Sequence, residues 1–483
     1  MPAKSSFGHV IDGKEVDSDD GATFDTVDPW TREPWAEVAL GGAAEADRAI
    51  VAARHAFDEG PWPRMGFAER GAILHQLADL MEENSRELGL ADSRDMGKPL
   101  AQSQGVDVVR AAHNFRFFAD HARLSTGEQL PMPGHHIYTR YEPAGVVAAI
   151  APWNFPLMLE TWKVAPALAW GNTVVLKPAE DTPASATILA RLALEAGMPP
   201  GVLNVVHGYG PESAGQALTE NPAVDRITFT GESGTGKIIA CAASQHLTPV
   251  SLELGGKGAN IVFDDADLDN AVDWAIRAIY TNAGQVCLAG SRLFVQRGIH
   301  DEFVSRFTAA AEALVIGDPK DTATQFGPLA SKQHFDKVSA YLDLAPSEGT
   351  VLTGGRGEGW VVRPTAVTGI DPASSRLFRE EIFGPVVVIV PFDTEAEAVA
   401  LANDTRYGLN AMVFSENLSR AHRVAAALDA GTVWVNCFFI RDLRAPFGGS
   451  GDSGIGREGG NFSREFFTEP KAVVMQIAPS AMD

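Results

Sequence analysis

Cys287 stands in TNAGQVCLAG, residues 281 to 290, among small and polar neighbours that offer a thiol no bulky shield. A thiol in such a setting can be reached by substrate and act as a nucleophile, whereas one among apolar side chains behaves as a small hydrophobe. Cys241, inside KIIACAAS, has the second environment and reads as a buried core residue. Three more stretches place polar groups where short β-branched runs end. APWNFPLML carries Asn154, whose uncharged amide suits an oxyanion. VSLELGGKG carries Glu253 before a glycine pair, a poorly solvated carboxylate suited to act as a base. NTVVLKPAED carries Lys177 and Glu180. Singly, the polar residues read better as capping or ion-pairing groups, and Cys287 reads equally well as an inert thiol.

Two glycine-rich stretches imitate nucleotide loops. GESGTGKI, residues 231 to 238, follows the strand-like DRITFT and matches a phosphate-binding loop until Ile238, where a magnesium-binding hydroxyl is required. The P-loop reading loses its metal ligand there, which leaves a triphosphatase only a remote alternative, while a strand-to-helix turn that accepts an anion remains. GGSGDSGIGREGG contains G-x-G-x-x-G from Gly449 and again from Gly454, but the short remaining chain leaves little room for a βαβ unit, so it reads as a loop.

The elements that must position these residues follow from periodicity. HVIDGKEV is a hairpin, with Asp12-Gly13 suited to a type I′ turn, and amphipathic helical stretches fill most of the first 120 residues. From 145 onward GVVAAI, NTVVLK, VLNVVHG, DRITFT and VSLEL alternate with helical segments, the rhythm of a doubly wound parallel sheet. A second alternating region starts near 258 with ANIVFDD, SRLFVQ, VVVIVPF and TVWVN, so two α/β domains are expected in the 483 residues. HHIYTRYEP and the terminal AVVMQI are strands without a neighbour close in sequence, candidates to pair with each other or across subunits. A net charge of −23 disfavours nucleic acid, and no apolar run reaches membrane-spanning length. Three sparse cysteines fit a reducing compartment, so the cytoplasm is expected.

Taken together, PWNFP, KPAE, FTG, LELGGK, GQ-x-C, EEIFGPV and PFGG-x-x-x-SG-x-GRE, in that order, resemble the NAD(P)-dependent aldehyde dehydrogenase superfamily over nearly the whole chain. The resemblance implies an α/β fold with a Rossmann-like cofactor domain (1–122 and 145–254), an α/β catalytic domain (255–467) and a small β oligomerisation arm (123–144 and 468–483) that builds a homodimer or homotetramer. It implies Cys287 as the nucleophile on an aldehyde, Asn154 as oxyanion donor, Glu253 as the base that hydrolyses the thioester to a free acid, and Lys163 with Glu458 as a proton relay. The cofactor set it implies is Trp153, Lys177, Glu180, Gly215, Gly231, Glu232, Glu381 and Phe383, with no metal. A carboxylate at Glu180 suits a ribose 2′-hydroxyl and repels a 2′-phosphate, so NAD is expected over NADP. Glu232 departs from the family, which usually has serine after FTG.

The substrate reading rests on VNCFFIRDLRAPFGG, where Arg441 takes a position that is apolar or aromatic in most relatives, beside Phe447, and on VVRAAHNFRFFAD with Arg110. Both stretches resemble the hydroxymuconic and 5-carboxymethyl-2-hydroxymuconic semialdehyde dehydrogenases. Two guanidiniums aimed into a tunnel suit a substrate carboxylate. The alternatives are a broad-specificity dehydrogenase for neutral aldehydes, with Arg110 on a solvated helix face and Arg441 ion-paired near Asp442, and, more remotely, a P-loop-like or non-catalytic protein on the same fold.

Overall fold

The computed structural model describes residues 5–477. The opening hairpin forms as expected: His9–Ile11 pairs antiparallel with Lys14–Val16 across Asp12 and Gly13, whose φ values of 51° and 72° are the left-handed pair of a type I′ turn. It extends one edge of an eight-stranded sheet through His9–Ile11, antiparallel to Leu203–Val205. The sheet then runs through four parallel neighbours, Thr173–Lys177, Val146–Ile150, Arg226–Thr230 and Val250–Glu253. Strand order reverses at Val146–Ile150, so a crevice opens beyond its carboxyl end, the usual ligand position of an open α/β sheet. Trp153 and Asn154 follow that strand directly.

The glycine-rich tract is more than a loop. Gly454–Ile455 pairs antiparallel with Leu252 and Glu253 and closes the far edge of this sheet, while Ser450–Gly451 pairs with Tyr407–Gly408. Gly454 lies with φ 149° and its Cα against the Leu252 carbonyl, where a Cβ would come within 2.1 Å, so the close approach excludes a side chain.

Cys241 is also corrected. It is exposed, as is Ile238, because the helix Ser233–Ser244 buries Gly236, Ile239 and Ala243 against the sheet and turns position 241 outward. Apolar composition concealed which face was inside.

A second sheet of seven strands holds the larger core. Its order is Thr350–Arg356, Val362–Thr368, Val386–Phe392, Arg292–Gln296, Ala259–Val262, Asn410–Phe414 and Thr432–Val435, parallel except for the first pair. Helices cover both faces, so Val386–Val390 is buried throughout. Near the N-terminus Ser5–Phe7, Glu33–Ala39 and Thr23–Asp28 form a small three-stranded sheet, and in another His135–Pro143 and Thr468–Gln476 pair antiparallel along their full length, with Gln129–Met132 as a third strand. Among the described residues no helix is long and apolar enough to cross a membrane.

Candidate active site

Cys287 follows the helix Leu268–Tyr280 and a turn in which Asn282, Ala283 and Gly284 all have left-handed φ, at 52°, 54° and 73°. Two of these are not glycine, a strained geometry that persists only where the surroundings enforce it. Hydrogen bonds do so. Asn282 Nδ2 donates to the Asn154 carbonyl at 2.7 Å, Gln285 Nε2 to the Asn282 carbonyl at 3.0 Å, and Ala330 N to Gln285 Oε1 at 2.9 Å. Asn154 Nδ2 in turn donates to the Gln285 carbonyl at 2.9 Å, so the PWNFP loop and the cysteine loop clamp one another. A primary amide has two N–H groups, and the second of Asn154 remains for a ligand oxygen. Lys98, ion-paired with Asp107, sits 4.0 Å over the ring of Phe155 and steadies the next residue of the same loop.

Cys287 is half-buried as a residue, and its thiol pKa is pushed up to about 12, first by desolvation and then by the charges of Glu381 and Glu253, with Arg441 acting in the opposite direction. Glu253, at the end of Val250–Glu253, is buried and neither carboxylate oxygen has a hydrogen-bond partner. Burial, reinforced by the charge of Glu458, holds its pKa well above the usual carboxylate range. Gly448 makes room for it: a Cβ there would stand 2.7 Å from Glu253 Oε1. Behind it Glu458 accepts from Trp162 Nε1, from Lys163 Nζ at 3.4 Å, and from Thr228 and Ser251 hydroxyls at 3.3 Å each. Thus Cys287, Glu253, Asn154, Lys163 and Glu458 are brought together from a strand end, loops and the helix Pro156–Ala169.

Arg441 enters from the segment after Thr432–Val435. Its guanidinium lies 3.8 Å over Phe447 and 4.7 Å over Trp162, and no carboxylate reaches ion-pair distance among the described residues. Desolvation and then the charge of Arg110 lower its pKa to about 10, while Glu253, Glu458 and Cys287 oppose that shift. Arg110, half-buried on the helix Val109–Arg123, is lowered by desolvation too. The surface pair near here is Arg444 with Asp442 at 2.6 Å, which leaves Arg441 uncommitted.

On the other side of the crevice, buried Lys177 reaches the Pro178 carbonyl at 3.0 Å and Glu180 at 3.6 Å, retaining donor capacity. Trp153 packs on His334 at 4.9 Å and Phe383 at 5.3 Å. Glu381 accepts from Gly256 N at 2.8 Å, and burial raises its pKa to about 7. Phe383 has φ 60°, held by His334 Nε2 donating to its carbonyl at 2.7 Å. Gly231 N donates to the Glu253 carbonyl at 3.1 Å, and a Cβ at Gly231 would strike the Phe229 ring. Gly215, in the helix Ala214–Glu220, packs on Gly210. Glu232 is exposed as the N-cap of Ser233–Ser244 and makes no capping bond with its side chain. The donor set fits a dinucleotide: a buried ammonium with spare N–H groups, a carboxylate beside it, and backbone left bare by glycine. Sequence reading missed Trp162 and His334. Trp162 had one signal, its adjacency to Lys163; His334 had none, since it comes from the distant helix Lys332–Glu348.

A family profile described as the aldehyde dehydrogenase family matches residues 16–473. A 2-hydroxymuconic semialdehyde dehydrogenase of Pseudomonas sp. (strain CF600) is 49% identical over 97% of this chain and 99% of its own. Aldehyde dehydrogenase family 2 member B4, mitochondrial, of Arabidopsis thaliana is 46% identical over 97% of this chain and 88% of its own. The NAD+ complex of an aldehyde dehydrogenase from Bacillus cereus superimposes with a TM-score of 0.96 at 40% identity, covering 98% of this chain and 97% of that one. With a full-length match in sequence and in fold, the chain belongs to the aldehyde dehydrogenase family.

Proposed function

We propose that the protein oxidises a carboxylate-bearing semialdehyde of the hydroxymuconic type to the corresponding acid, with NAD as hydride acceptor. One observation carries the substrate class: among the described residues no carboxylate comes within ion-pair distance of the Arg441 guanidinium, which lies over Phe447 and Trp162, and Arg110 is near enough to shift it. A desolvated charge without a counter-ion is costly, and a substrate carboxylate supplies the missing charge in bidentate geometry. The name of the Pseudomonas relative supports this reading. A plant relative of nearly equal identity and the aromatic walls of the cleft support a second reading, broad specificity for neutral aldehydes.

In this mechanism Glu253 takes the thiol proton of Cys287 and passes it outward, and the sulfur adds to the aldehyde carbon, forming a thiohemiacetal. The spare N–H of Asn154 and the backbone N–H of Cys287 take the oxyanion. Bound NAD would supply the hydride acceptor for that adduct, and Cys287 would then carry the acyl group as a thioester. Glu253 then removes a proton from water for attack on the thioester, and Glu458 with Lys163 passes the proton outward. Lys177 and Glu180 hold the adenosine ribose, the latter favouring NAD over NADP, with Trp153 in the same cleft. Glu381 and Phe383 place the nicotinamide end. Gly215 and Gly231 admit the dinucleotide close to the backbone, and Glu232 turns to solvent.

The sheet that carries Lys177 and Glu180 serves as the cofactor domain (1–122 and 145–254), and the seven-stranded sheet lies in the catalytic domain (255–467). The three-stranded arm (123–144 and 468–483, of which 478–483 lie outside the described residues) mediates a homodimer or homotetramer, through exposed residues such as Leu130, Val474 and Met475. A free catalytic thiol fits the cytoplasm. The deciding experiment compares kcat/KM for 2-hydroxymuconic semialdehyde and for hexanal with NAD: preference for the semialdehyde is expected, and preference for hexanal leaves the broad-specificity reading.

A further inference from the structure

We infer that Trp162 is a positioning residue that aims Arg441 at the substrate carboxylate and ties it to Glu458, a role that rests on the semialdehyde reading. One indole meets both groups. Its face lies 4.7 Å from the Arg441 guanidinium, and its Nε1–H donates to Glu458 Oε2. Trp162 is 4% exposed, sits on the helix Pro156–Ala169 and packs on Phe118, so the ring has little freedom to turn. Phe447 covers the guanidinium as well, at 3.8 Å. A guanidinium stacked on aromatic faces keeps its N–H groups in its own plane, directed edgewise rather than into the walls. The donor that orients the indole is spent on Glu458, whose other oxygen accepts from Lys163, Thr228 and Ser251. The carboxylate end of the substrate and the Glu458 network are therefore joined through a single side chain.

The test is a ratio of kcat/KM for 2-hydroxymuconic semialdehyde to that for hexanal, each pair measured on one preparation so that active fraction cancels. Trp162→Leu, which removes ring and N–H, is expected to lower the ratio about tenfold. Trp162→Phe, which keeps a face but no N–H, is expected to hold the ratio within about threefold of the parent. It should also slow thioester hydrolysis relative to the hydride step, read as a larger NADH burst ahead of the steady rate, because Glu458 loses one of the donors that hold it. In the double variant Trp162→Leu/Arg441→Ala the ratio should fall no further than in Arg441→Ala alone. Equal losses on both aldehydes in Trp162→Leu would overturn the aiming role, and an unchanged ratio of NADH burst to steady rate in Trp162→Phe would overturn the tie to Glu458. An unchanged ratio in Arg441→Ala would instead bring down the semialdehyde reading itself, and this inference with it.

Discussion

At the scale of single residues, the cleft separates into groups whose loss has distinct kinetic signatures. Cys287→Ala should abolish aldehyde oxidation yet leave NAD binding intact, since the dinucleotide residues lie on the other side of the crevice; titration of NAD by tryptophan fluorescence checks the second half. Glu253→Gln should slow the hydride step and stall hydrolysis. A pre-steady-state trace would then show at most a single NADH per active site before the rate collapses, whereas steady turnover near the parent's would remove Glu253 from the role of base. Arg441→Ala should lose roughly 2–5 kcal/mol of transition-state binding for the carboxylated aldehyde and little for hexanal. Arg110→Ala, acting on the same carboxylate, should combine with it less than additively, because groups sharing one partner couple.

At the scale of elements, the cysteine loop is held by contacts from several directions rather than by its own propensity. Gly284 is the sharpest example: its φ is 73°, and a Cβ there would stand 2.4 Å from the backbone of Gly384. Gly284→Ala therefore carries about 1–2 kcal/mol of left-handed strain before the clash is counted. The expected result is a fall in kcat/KM larger than the fall in Tm implies, as the loop shifts away from the PWNFP clamp; thermal melts and steady-state kinetics on the same protein measure both. The cofactor side has the same design, with Phe383 kept at φ 60° by a hydrogen bond from His334.

At the scale of the whole molecule, buried titratable groups set the pH window of the fold. His9 and His207 are depressed to about 4 and about 3, mainly by burial, so the folded state binds fewer protons than the unfolded one below 6.5. Their contribution is complete above 6.5 and is lost as pH falls toward their folded values. Asp92 and Asp95, on the helix Ser85–Met96, are raised by burial to about 7 and about 8. Their sign is opposite: the folded state keeps protons that the unfolded state releases, so stability declines as pH rises from 3.8 through those values. Above 6.5 nothing from the histidines offsets the decline. Lys257, lowered by burial to about 7, acts in the opposite direction over the same interval, so the aspartates are isolated by mutation: Asp95→Asn should remove part of the decline, and urea denaturation at pH 7 and pH 8 should show a less downward change in stability for this variant than for the parent.

The sequence by itself determined the family, the order of the motifs and the residues at strand ends, because Cys287, Glu253, Asn154 and Lys177 each sit in short stretches whose glycines and β-branched runs dictate local geometry. The Asp12-Gly13 turn was equally legible, since two left-handed residues in succession need those side chains. Which face of a helix is inside was not. Cys241 lies among apolar neighbours yet points to solvent, because its burial depends on where the sheet lies and not on the helix alone. Nor did the glycine-rich tract announce that Gly454–Ile455 would close a sheet edge, for the strand it pairs with is about 200 residues away and strand pairing is non-local. The state of Arg441 was decided by the tertiary structure only. Its place over Trp162 and Phe447, and the lack among the described residues of a carboxylate within ion-pair distance, are properties of a neighbourhood assembled from separate segments, and they become visible only when all its neighbours are in place.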